Sequence, residues 1–178
     1  MNNGNFQIGD NYSIKKVNDL SEFEKLKTAW DNLAEKQGSY MPFLCFDWFK
    51  IWFKNFLDAN QLMILLLYEK GRIAGIAPFL VTREKFKSIP VSKIELIGNV
   101  YSPIRGVIFA ESELGNKKIY LNKIINYFFK DFREWDVIDL YPISSEDENG
   151  RRQYWMMFRC PGWKSEIIYC WGICPARS

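Results

Sequence analysis

The sequence predicts a domain of the α/β class, of the α+β type, in which a mixed, mostly antiparallel sheet is flanked by helices. Apolar side chains recur at helical spacing in two segments near the start of the chain and in one segment after its middle. Continuous apolar runs of strand length lie between them. The 178 residues suit one domain. We expect it to span residues 1–178, with residues 1–11 disordered and residues 170–178 forming an irregular tail and a candidate truncation point.

The two helical segments near the start have recognisable ends. The first is predicted at residues 22–36, because Ser21 and Glu24 form an S-x-x-E capping box and Gly38 is a common helix stop. The second is predicted at residues 47–56, where aromatic side chains line one broad face. The glycine, and a proline that follows it, exclude one continuous helix through both segments.

Most of the remaining elements are predicted to be strands. The predicted order is β-α-α-β-β-β-β-α-β-α-β, with strands at residues 12–17, 61–69, 73–82, 92–97, 105–109, 136–140 and 165–169, and with later helices at residues 116–132 and 145–158. A turn containing Gly71 joins the second and third strands into a hairpin. The last helix depends on a second S-x-x-E signal at Ser145 and on acidic residues four positions before Arg151 and Arg152.

Composition and charge exclude several classes of function. The net charge of +3 comes from 24 basic and 21 acidic residues that are interspersed, whereas nucleic-acid-binding domains usually concentrate basic residues on one face. The absence of histidine removes Ser-His-Asp and Cys-His nucleophilic machinery, and we expect no metal site. Four cysteines without C-x-x-C spacing are expected to be free thiols in a reducing cytosol: Cys45, Cys160, Cys170 and Cys174.

Nothing in the sequence predicts a membrane segment. Residues 1–12 lack the basic and apolar regions of a signal peptide. The longest apolar runs, residues 62–68 and 73–81, are far shorter than the ~18 residues that cross a bilayer. We therefore expect a cytoplasmic protein without a membrane span.

Five short motifs follow one another along the chain. They are Trp30-Asp31-x-Leu33, Pro42-Phe43-Leu44-x-Phe46-Asp47-Trp48-Phe49-x-x-Trp52, Gly71-Arg72-Ile73-Ala74-Gly75-Ile76-Ala77-Pro78-Phe79, Ile94-x-Leu96-Ile97-Gly98-Asn99 and Trp135-Asp136-x-Ile138-Asp139-Leu140. Together with the element order, they resemble the N-terminal half of FemAB/CelD-like acyltransferases of the GNAT superfamily. One extra strand, at residues 92–97, departs from the usual GNAT order.

The resemblance implies the transfer of an acyl group, such as acetyl, from an activated donor to an amine. The donor would be acyl-CoA, used as a co-substrate with no permanently bound cofactor, or aminoacyl-tRNA in the branch that builds peptidoglycan. The acceptor would be a small amine or an amino-sugar-type compound. Full-length members pair two GNAT-like halves, so the resemblance also implies a truncated chain that a missing C-terminal half or a partner protein would complete.

Candidate residues for holding the donor come from three places. Gly75 and Pro78 are placed to form a bulge or a bend in their strand. In GNAT-like domains a bend in a central strand opens the acyl-donor cleft, and an ordinary edge-strand irregularity is the alternative here. Arg105 could hold an anionic group, or could be a surface or paired arginine at the start of a strand. The phosphate loop of the superfamily corresponds to residues 110–117 here, but it has one glycine and two glutamates. We expect a non-binding remnant there, with Lys117 as the candidate contact.

The catalytic residues cannot be assigned from the sequence, and Asp47 is the candidate base. An amine acceptor must lose a proton, and Asp47 at the head of an aromatic helix could be desolvated, which would raise its pKa. A plain helix N-terminal role is the alternative. Trp48 and Trp52 are candidates for a substrate groove, with core packing as their alternative. Asp136 and Asp139 are expected to be edge or turn residues.

Two other functions compete with the enzyme. The first is a non-catalytic binding or scaffolding module, which would dock a second domain or a partner protein through the aromatic face and an open sheet edge. The second is RNA binding, suggested by a tRNA donor, which predicts salt-sensitive affinity. The even charge pattern argues against nucleic acid of any kind.

Overall fold

The computed structural model describes residues 6–7, 11–36, 42–57, 61–86, 88–98, 102, 105–110, 114–140, 145–146, 152–158 and 168–173. For residues 6–7, 61, 86, 114–118, 145–146, 152–158 and 168–173 it describes the backbone alone. The helices are α1 (Leu20–Glu24), α2 (Lys27–Lys36), α3 (Phe46–Phe56) and α4 (Leu114–Lys130), with a 3₁₀ turn at Pro42–Leu44. The strands are β1 (Phe6–Gln7), β2 (Tyr12–Val17), β3 (Gln61–Glu69), β4 (Arg72–Phe86), β5 (Ile89–Leu96), β6 (Ile108–Phe109), β7 (Val137–Asp139), β8 (Ser145–Glu146), β9 (Arg152–Phe158) and β10 (Ile168–Ile173).

The described strands form one sheet. Its order is β1-β2-β3-β4-β5-β7-β9-β10, while β6 pairs with β4 and β8 pairs with β9. Of these pairings, only β5 with β7 is parallel. The prediction of a mixed, mostly antiparallel sheet with helices is confirmed. None of the helices in the described ranges is long and apolar enough to cross a membrane.

Helices cover the two faces of the sheet and create two apolar cores. One core lies under α1, α2 and α3, and the other lies under α4. Strand β3 supplies both, because Leu62, Ile64 and Leu66 face the first core while Met63 and Leu65 face the second. A strand that is buried on both faces has a continuous apolar sequence, which explains the unbroken run in this part of the chain.

The first predicted helix is two helices in the structure. Helix α1 starts before Ser21, because Asp19 is its N-cap and accepts a hydrogen bond from the Glu22 N–H at 2.8 Å. The Ser21 hydroxyl donates to the Asp19 carboxylate instead of forming the predicted capping box. Lys25 and Leu26 form a turn between α1 and α2. Gly38, the predicted stop, lies outside the described residues.

The predicted hairpin is present, and its second strand is longer than expected. The turn between β3 and β4 has positive φ at both central residues, Lys70 at 50° and Gly71 at 77°. This is the type I′ geometry that matches the twist of paired strands, and glycine adopts it without steric cost. Strand β4 continues to Phe86 because β5 pairs with it along Phe79–Phe86.

The helix predicted at residues 145–158 is wrong. This stretch contains β8 and β9, and β9 pairs with both β7 and β10. Ion pairs at i,i+4 spacing contribute only ~0.2–0.5 kcal/mol each to a helix. Two strand neighbours instead satisfy the backbone of a segment rich in Tyr, Trp and Phe, residue types that favour strands.

Several other predicted bounds are corrected. Phe6–Gln7, inside the stretch expected to be disordered, pairs with β2. The last strand reaches Ile173, so residues 170–173 are regular and are not part of an irregular tail. The strand expected at residues 105–109 is confined to β6. Helix α4 begins at Leu114, two residues earlier than predicted.

Candidate functional site

The sheet changes direction at the pairing of β5 with β7. These strands are parallel and share only three residue pairs, of which Glu95 with Asp139 is the last. Parallel neighbours need a crossover connection, and the segment between these two strands carries β6 and α4. The carboxyl ends of parallel strands are a common place for ligand sites in α/β sheets. We therefore expect a ligand site at the end of this ladder.

Strands β5 and β6 lie one after the other along the same edge of β4. Leu96 in β5 pairs with Phe79, and Ile108 in β6 pairs with Ile76. The described residues between them, 97–98, 102 and 105–107, are not in a strand. Pro78 lies at this interruption, where its carbonyl accepts a hydrogen bond from the Ile97 N–H at 3.0 Å. A proline has no N–H to donate, so the interruption leaves no unpaired donor at this position of β4.

The bulge predicted near Gly75 is present. Gly75 pairs with Leu67 while Ile73 pairs with Tyr68, so Ala74 is one extra residue in β4. A Cβ atom on Gly75 would lie 3.1 Å from the Phe109 ring. Gly75 thus allows β6 to approach the bulge closely. Gly75 and Pro78 both lie in the part of β4 where its pairing changes from β6 to β5. A role in holding a donor stays a prediction for both.

Charged side chains cluster at the end of the parallel ladder. The Lys93 ammonium lies 3.0 Å from the Glu95 carboxylate and 3.2 Å from the Asp139 carboxylate. The Thr82 hydroxyl is 3.4 Å from the second oxygen of Glu95. The three charged side chains are only 19%, 22% and 17% exposed, respectively. We call these four residues, Thr82, Lys93, Glu95 and Asp139, the charged cluster.

The charged cluster lies on the same face of the sheet as α1, α2 and α3. Glu95 pairs with Leu80, which belongs to the core under those helices, and paired residues share a face. Ile94 and Leu96 point to the opposite face, under α4. Charged groups that are this buried are costly unless they are paired. Their position beside the end of the ladder makes the cluster the strongest candidate for chemistry among the described residues.

Lys93 keeps its positive charge in this setting. Burial by itself lowers the pKa of Lys93, but the hydrogen bond that Lys93 donates to Glu95 and the negative charges of Glu95 and Asp139 outweigh it. The pKa of Lys93 therefore lies above its ordinary value. Asp139 was expected to be only an edge or turn residue, and no sequence motif pointed to Lys93 or Glu95. Charged and apolar residues alternate in Lys93–Leu96. This pattern could have placed Lys93 and Glu95 together on one face of a strand.

Asp47 lies away from this cluster. It is in the first turn of α3, its side chain is 72% exposed, and it accepts a hydrogen bond from Lys27 at 2.9 Å. The same ammonium lies 3.1 Å from Asp31, and the Asp31 carboxylate accepts from the Phe46 N–H at 3.3 Å. Because its side chain is exposed, Asp47 is not desolvated, contrary to the expectation for a candidate base. These contacts bind α2 to the N-terminus of α3.

The two tryptophans of the predicted groove are in contact with the aromatic core. The Trp48 ring packs edge-on against Phe43 and Phe49. Trp52 is 5% exposed and packs against Phe53 and Phe56. The indole N–H of Trp52 is buried and has no hydrogen-bond partner in the part of the chain that the structure describes. Core packing thus accounts for most of the surface of Trp52, and a groove at these side chains stays a prediction.

Arg105 lies in the segment between β5 and β6, outside either strand. Its side chain crosses Gly98, because a Cβ atom on Gly98 would lie 2.7 Å from the Arg105 Nε and 2.9 Å from its Cγ. Gly98 has φ of 151°, a conformation that favours glycine. The Nε of Arg105 is buried and has no hydrogen-bond partner among the described residues. Apart from its two chain neighbours, no described residue has an atom within 4 Å of a Cβ built on Gly106.

Lys117 lies in the first part of α4, and its side chain is outside the described residues. The glutamates before α4, Glu111 and Glu113, also lie outside them, so the predicted remnant of a phosphate loop stays a prediction. In the part of the chain that the structure describes, no group of three or more Cys, Asp or Glu side chains could hold a metal ion.

Comparison with models of known protein families found no match for this chain, and comparison with curated proteins found no relative. The features that bear on function are therefore the geometry of the sheet and the charged cluster.

Proposed function

We propose that this chain is a GNAT-type acyltransferase domain, which transfers an acyl group from acyl-CoA to an amine. The observation that carries the proposal is the short parallel ladder between β5 and β7, reached through α4 and ending at Glu95 and Asp139. In GNAT-like domains, two central strands that separate after such a ladder open the cleft for the acyl donor. The motifs from Trp30 to Leu140 support the same assignment.

The break in the sheet supports a donor site at this place. Past Glu95, the line of β5 continues along β4 as β6, but β7 forms no ladder with β6 in the described chain. Backbone groups on that edge of β6 are not paired by a described strand. An extended, amide-containing chain such as the pantetheine arm of CoA could pair with such an edge as a strand does.

The charged cluster supplies groups for the chemistry. In the reaction, the amine nitrogen attacks the thioester carbonyl carbon, the carbon–sulfur bond breaks, and the CoA sulfur leaves. The nitrogen must release a proton in this step. Without histidine, a carboxylate is the natural acceptor, and Glu95 lies at the last pair of the parallel ladder. Lys93 holds Glu95 in place at 3.0 Å, so Glu95 replaces Asp47 as the proposed base.

Calorimetric titration of the purified chain with acetyl-CoA and with free CoA tests the donor site. We expect saturable binding of both, because most of the recognised surface belongs to the CoA part. A folded sample that binds neither compound would contradict the proposal. Circular dichroism before the titration verifies that the sample is folded.

A second experiment tests the base. Release of the CoA thiol from acetyl-CoA is followed in the presence of a panel of primary amines. We expect Glu95→Gln to lower the rate by about 100-fold or more and to leave acetyl-CoA binding unchanged. Asp47→Asn is the matched control, since it also neutralises one carboxylate but lies on the exposed end of α3. A rate that falls in the Asp47 variant and not in the Glu95 variant would exclude this role for Glu95.

The binding-module alternative has weaker support from the described surface. The aromatic face proposed for docking is largely turned inward, since Phe46, Phe49 and Phe53 are each at most 4% exposed. On α3 only Ile51 and Phe56 are large, apolar and exposed, at 63% and 48%. Isolated apolar side chains at the surface are common and do not by themselves indicate a partner.

A further inference from the structure

We propose that Arg105, held in place by Gly98, is a binding residue for an oxyanion, either a phosphate or a carboxylate of a ligand. The inference rests on the proposed function only for the identity of that ligand. The site consists of the Arg105 guanidinium and the Gly98 backbone beneath its stem.

The stem of Arg105 lies against the backbone of Gly98. The stem lies so close to Gly98 that any side chain at that position would collide with its Cγ, Cδ and Nε, at 2.9, 2.8 and 2.7 Å. A long side chain normally loses rotamer freedom when it binds a ligand. A stem that is already pressed against the backbone has less freedom to lose, so the guanidinium is prepared for a ligand.

The charge of Arg105 is not matched by an acidic group of this chain within the described ranges. None of the ion pairs found there includes Arg105, and its Nε has no acceptor. A guanidinium donor that is buried and unpaired is costly. Lys15 and Lys93, which are also partly buried, each have a carboxylate partner. The missing partner is explained if it comes from a ligand.

The location favours a ligand of the acyl-transfer reaction. Arg105 lies between β5 and β6, at the interruption where Pro78 faces Ile97 and close in sequence to the end of the β5–β7 ladder. Guanidinium groups bind phosphates and carboxylates with two parallel hydrogen bonds.

The experiment measures binding of inorganic pyrophosphate and of succinate to the full chain by calorimetry, at matched ionic strength. We expect saturable binding of one of them. Preference for pyrophosphate assigns the site to the phosphates of the donor, and preference for succinate assigns it to a carboxylate on the acceptor. We expect Arg105→Gln to weaken that binding by about tenfold or more. Arg83→Gln, which removes an exposed arginine on β4, should leave it unchanged.

Gly98→Ala tests the positioning, because it keeps the charge and displaces the stem. We expect it to weaken binding as well, and Arg105→Lys to do so partially, since lysine lacks the planar fork. The lysine variant also serves if the glutamine variant does not fold. The proposal is overturned if neither anion binds, or if the Arg105 and Gly98 variants bind as tightly as the unchanged chain.

The outcomes also separate this site from the proposed function. Binding of pyrophosphate or succinate through Arg105 in a chain that does not bind acetyl-CoA would preserve the oxyanion site and remove the acyltransferase proposal. If acyl transfer is unchanged in the Arg105 and Gly98 variants and neither anion binds, the oxyanion site is removed and the acyltransferase proposal is preserved.

Discussion

The carboxylate of Asp136 accepts a hydrogen bond from the backbone N–H of Ser92 at 2.7 Å, and the Asp136 N–H donates to the Ser92 carbonyl at 2.8 Å. The Ser92 hydroxyl also donates to the Glu134 carbonyl at 2.9 Å. These bonds lie directly before the parallel ladder, whose first pair is Lys93 with Val137. Because that ladder has only three pairs, the contact between Asp136 and Ser92 fixes its register and the position of the charged cluster.

Removing the Asp136 carboxylate should therefore destabilise the fold. We expect Asp136→Ala to lower the free energy of unfolding by about 1–3 kcal/mol, the usual effect of leaving a partly buried N–H without its charged acceptor. Asp136→Asn keeps an acceptor oxygen and should lose less. Urea unfolding followed by tryptophan fluorescence measures both. Equal and negligible losses would show that the contact does not fix the ladder.

Two buried tryptophans provide a matched pair for a second prediction. The Trp30 indole N–H donates to the Leu44 carbonyl at 2.8 Å, whereas that of Trp52 finds no partner within the described ranges. Trp30→Phe removes ring volume and leaves the Leu44 carbonyl unpaired. Trp52→Phe removes similar volume together with an unpaired buried donor. We expect the first variant to lose at least about 1 kcal/mol more stability than the second, by the same urea assay. The opposite order would contradict these hydrogen-bond assignments.

The parts of the fold that local sequence determines were predictable. Residues 61–69 are apolar throughout because β3 is buried on both faces, and its bounds were predicted correctly. Strand β2 and helix α3 were also placed within one residue. Strand β9 was mistaken for a helix, because its state is decided by pairing with β7 and β10. Charge spacing within the segment carries no information about those neighbours.

The candidate site was harder to predict than the fold. Lys93 and Glu95 alternate with apolar residues, so the sequence places them on one face of a strand. Their partner Asp139 follows more than forty positions later, and only the parallel register of β5 with β7 brings it near. Asp47 was favoured for its place at the start of an aromatic helix. Exposure of that helix end depends on how α2 packs against α3, which the sequence does not specify.

Tyr120 predicts how stability responds to alkaline pH. Burial, the hydrogen bond to Glu69 and the negative charge of Glu69 raise the pKa of Tyr120 to about 12. Its hydroxyl lies 2.7 Å from that carboxylate. A pKa raised in the folded state favours the protonated form, so this contribution is complete below pH ~10, the value for an unfolded tyrosine. It is lost as the pH rises from ~10 to ~12.

Tyr120→Phe isolates this contribution. The variant should be less stable than the unchanged chain at pH 8, by about 1 kcal/mol or more, because it lacks the bond to Glu69. Between pH 10 and 11 the free energy of unfolding of the variant should fall less steeply than that of the unchanged chain. The two slopes should differ by up to ~1.4 kcal/mol per pH unit. Urea unfolding at a series of pH values measures the difference. Parallel curves for the two proteins would show that Tyr120 titrates as an ordinary tyrosine.

The charged cluster gives the last prediction, which concerns its energy and not its chemistry. Lys93 is the cation between Glu95 and Asp139. Removing one member of a fully buried ion pair costs about 3–5 kcal/mol, and each of these side chains keeps about a fifth of its surface exposed. We therefore expect Lys93→Gln to lower the free energy of unfolding by about 1–3 kcal/mol, after allowance for solvent screening.

A double-mutant cycle separates the pair from the loss of packing. Lys93→Gln and Glu95→Gln are measured singly and together, and a coupling free energy of about 1 kcal/mol or more is expected for residues in direct contact. The exposed pair of Lys50 with Glu24, with side chains 56% and 57% exposed, is the matched control, and its coupling should be at most ~0.5 kcal/mol. Equal coupling free energies in the two pairs would mean that water screens the charges of the cluster as strongly as it screens the exposed pair. That result would remove the electrostatic reason for choosing Glu95 as the proposed base.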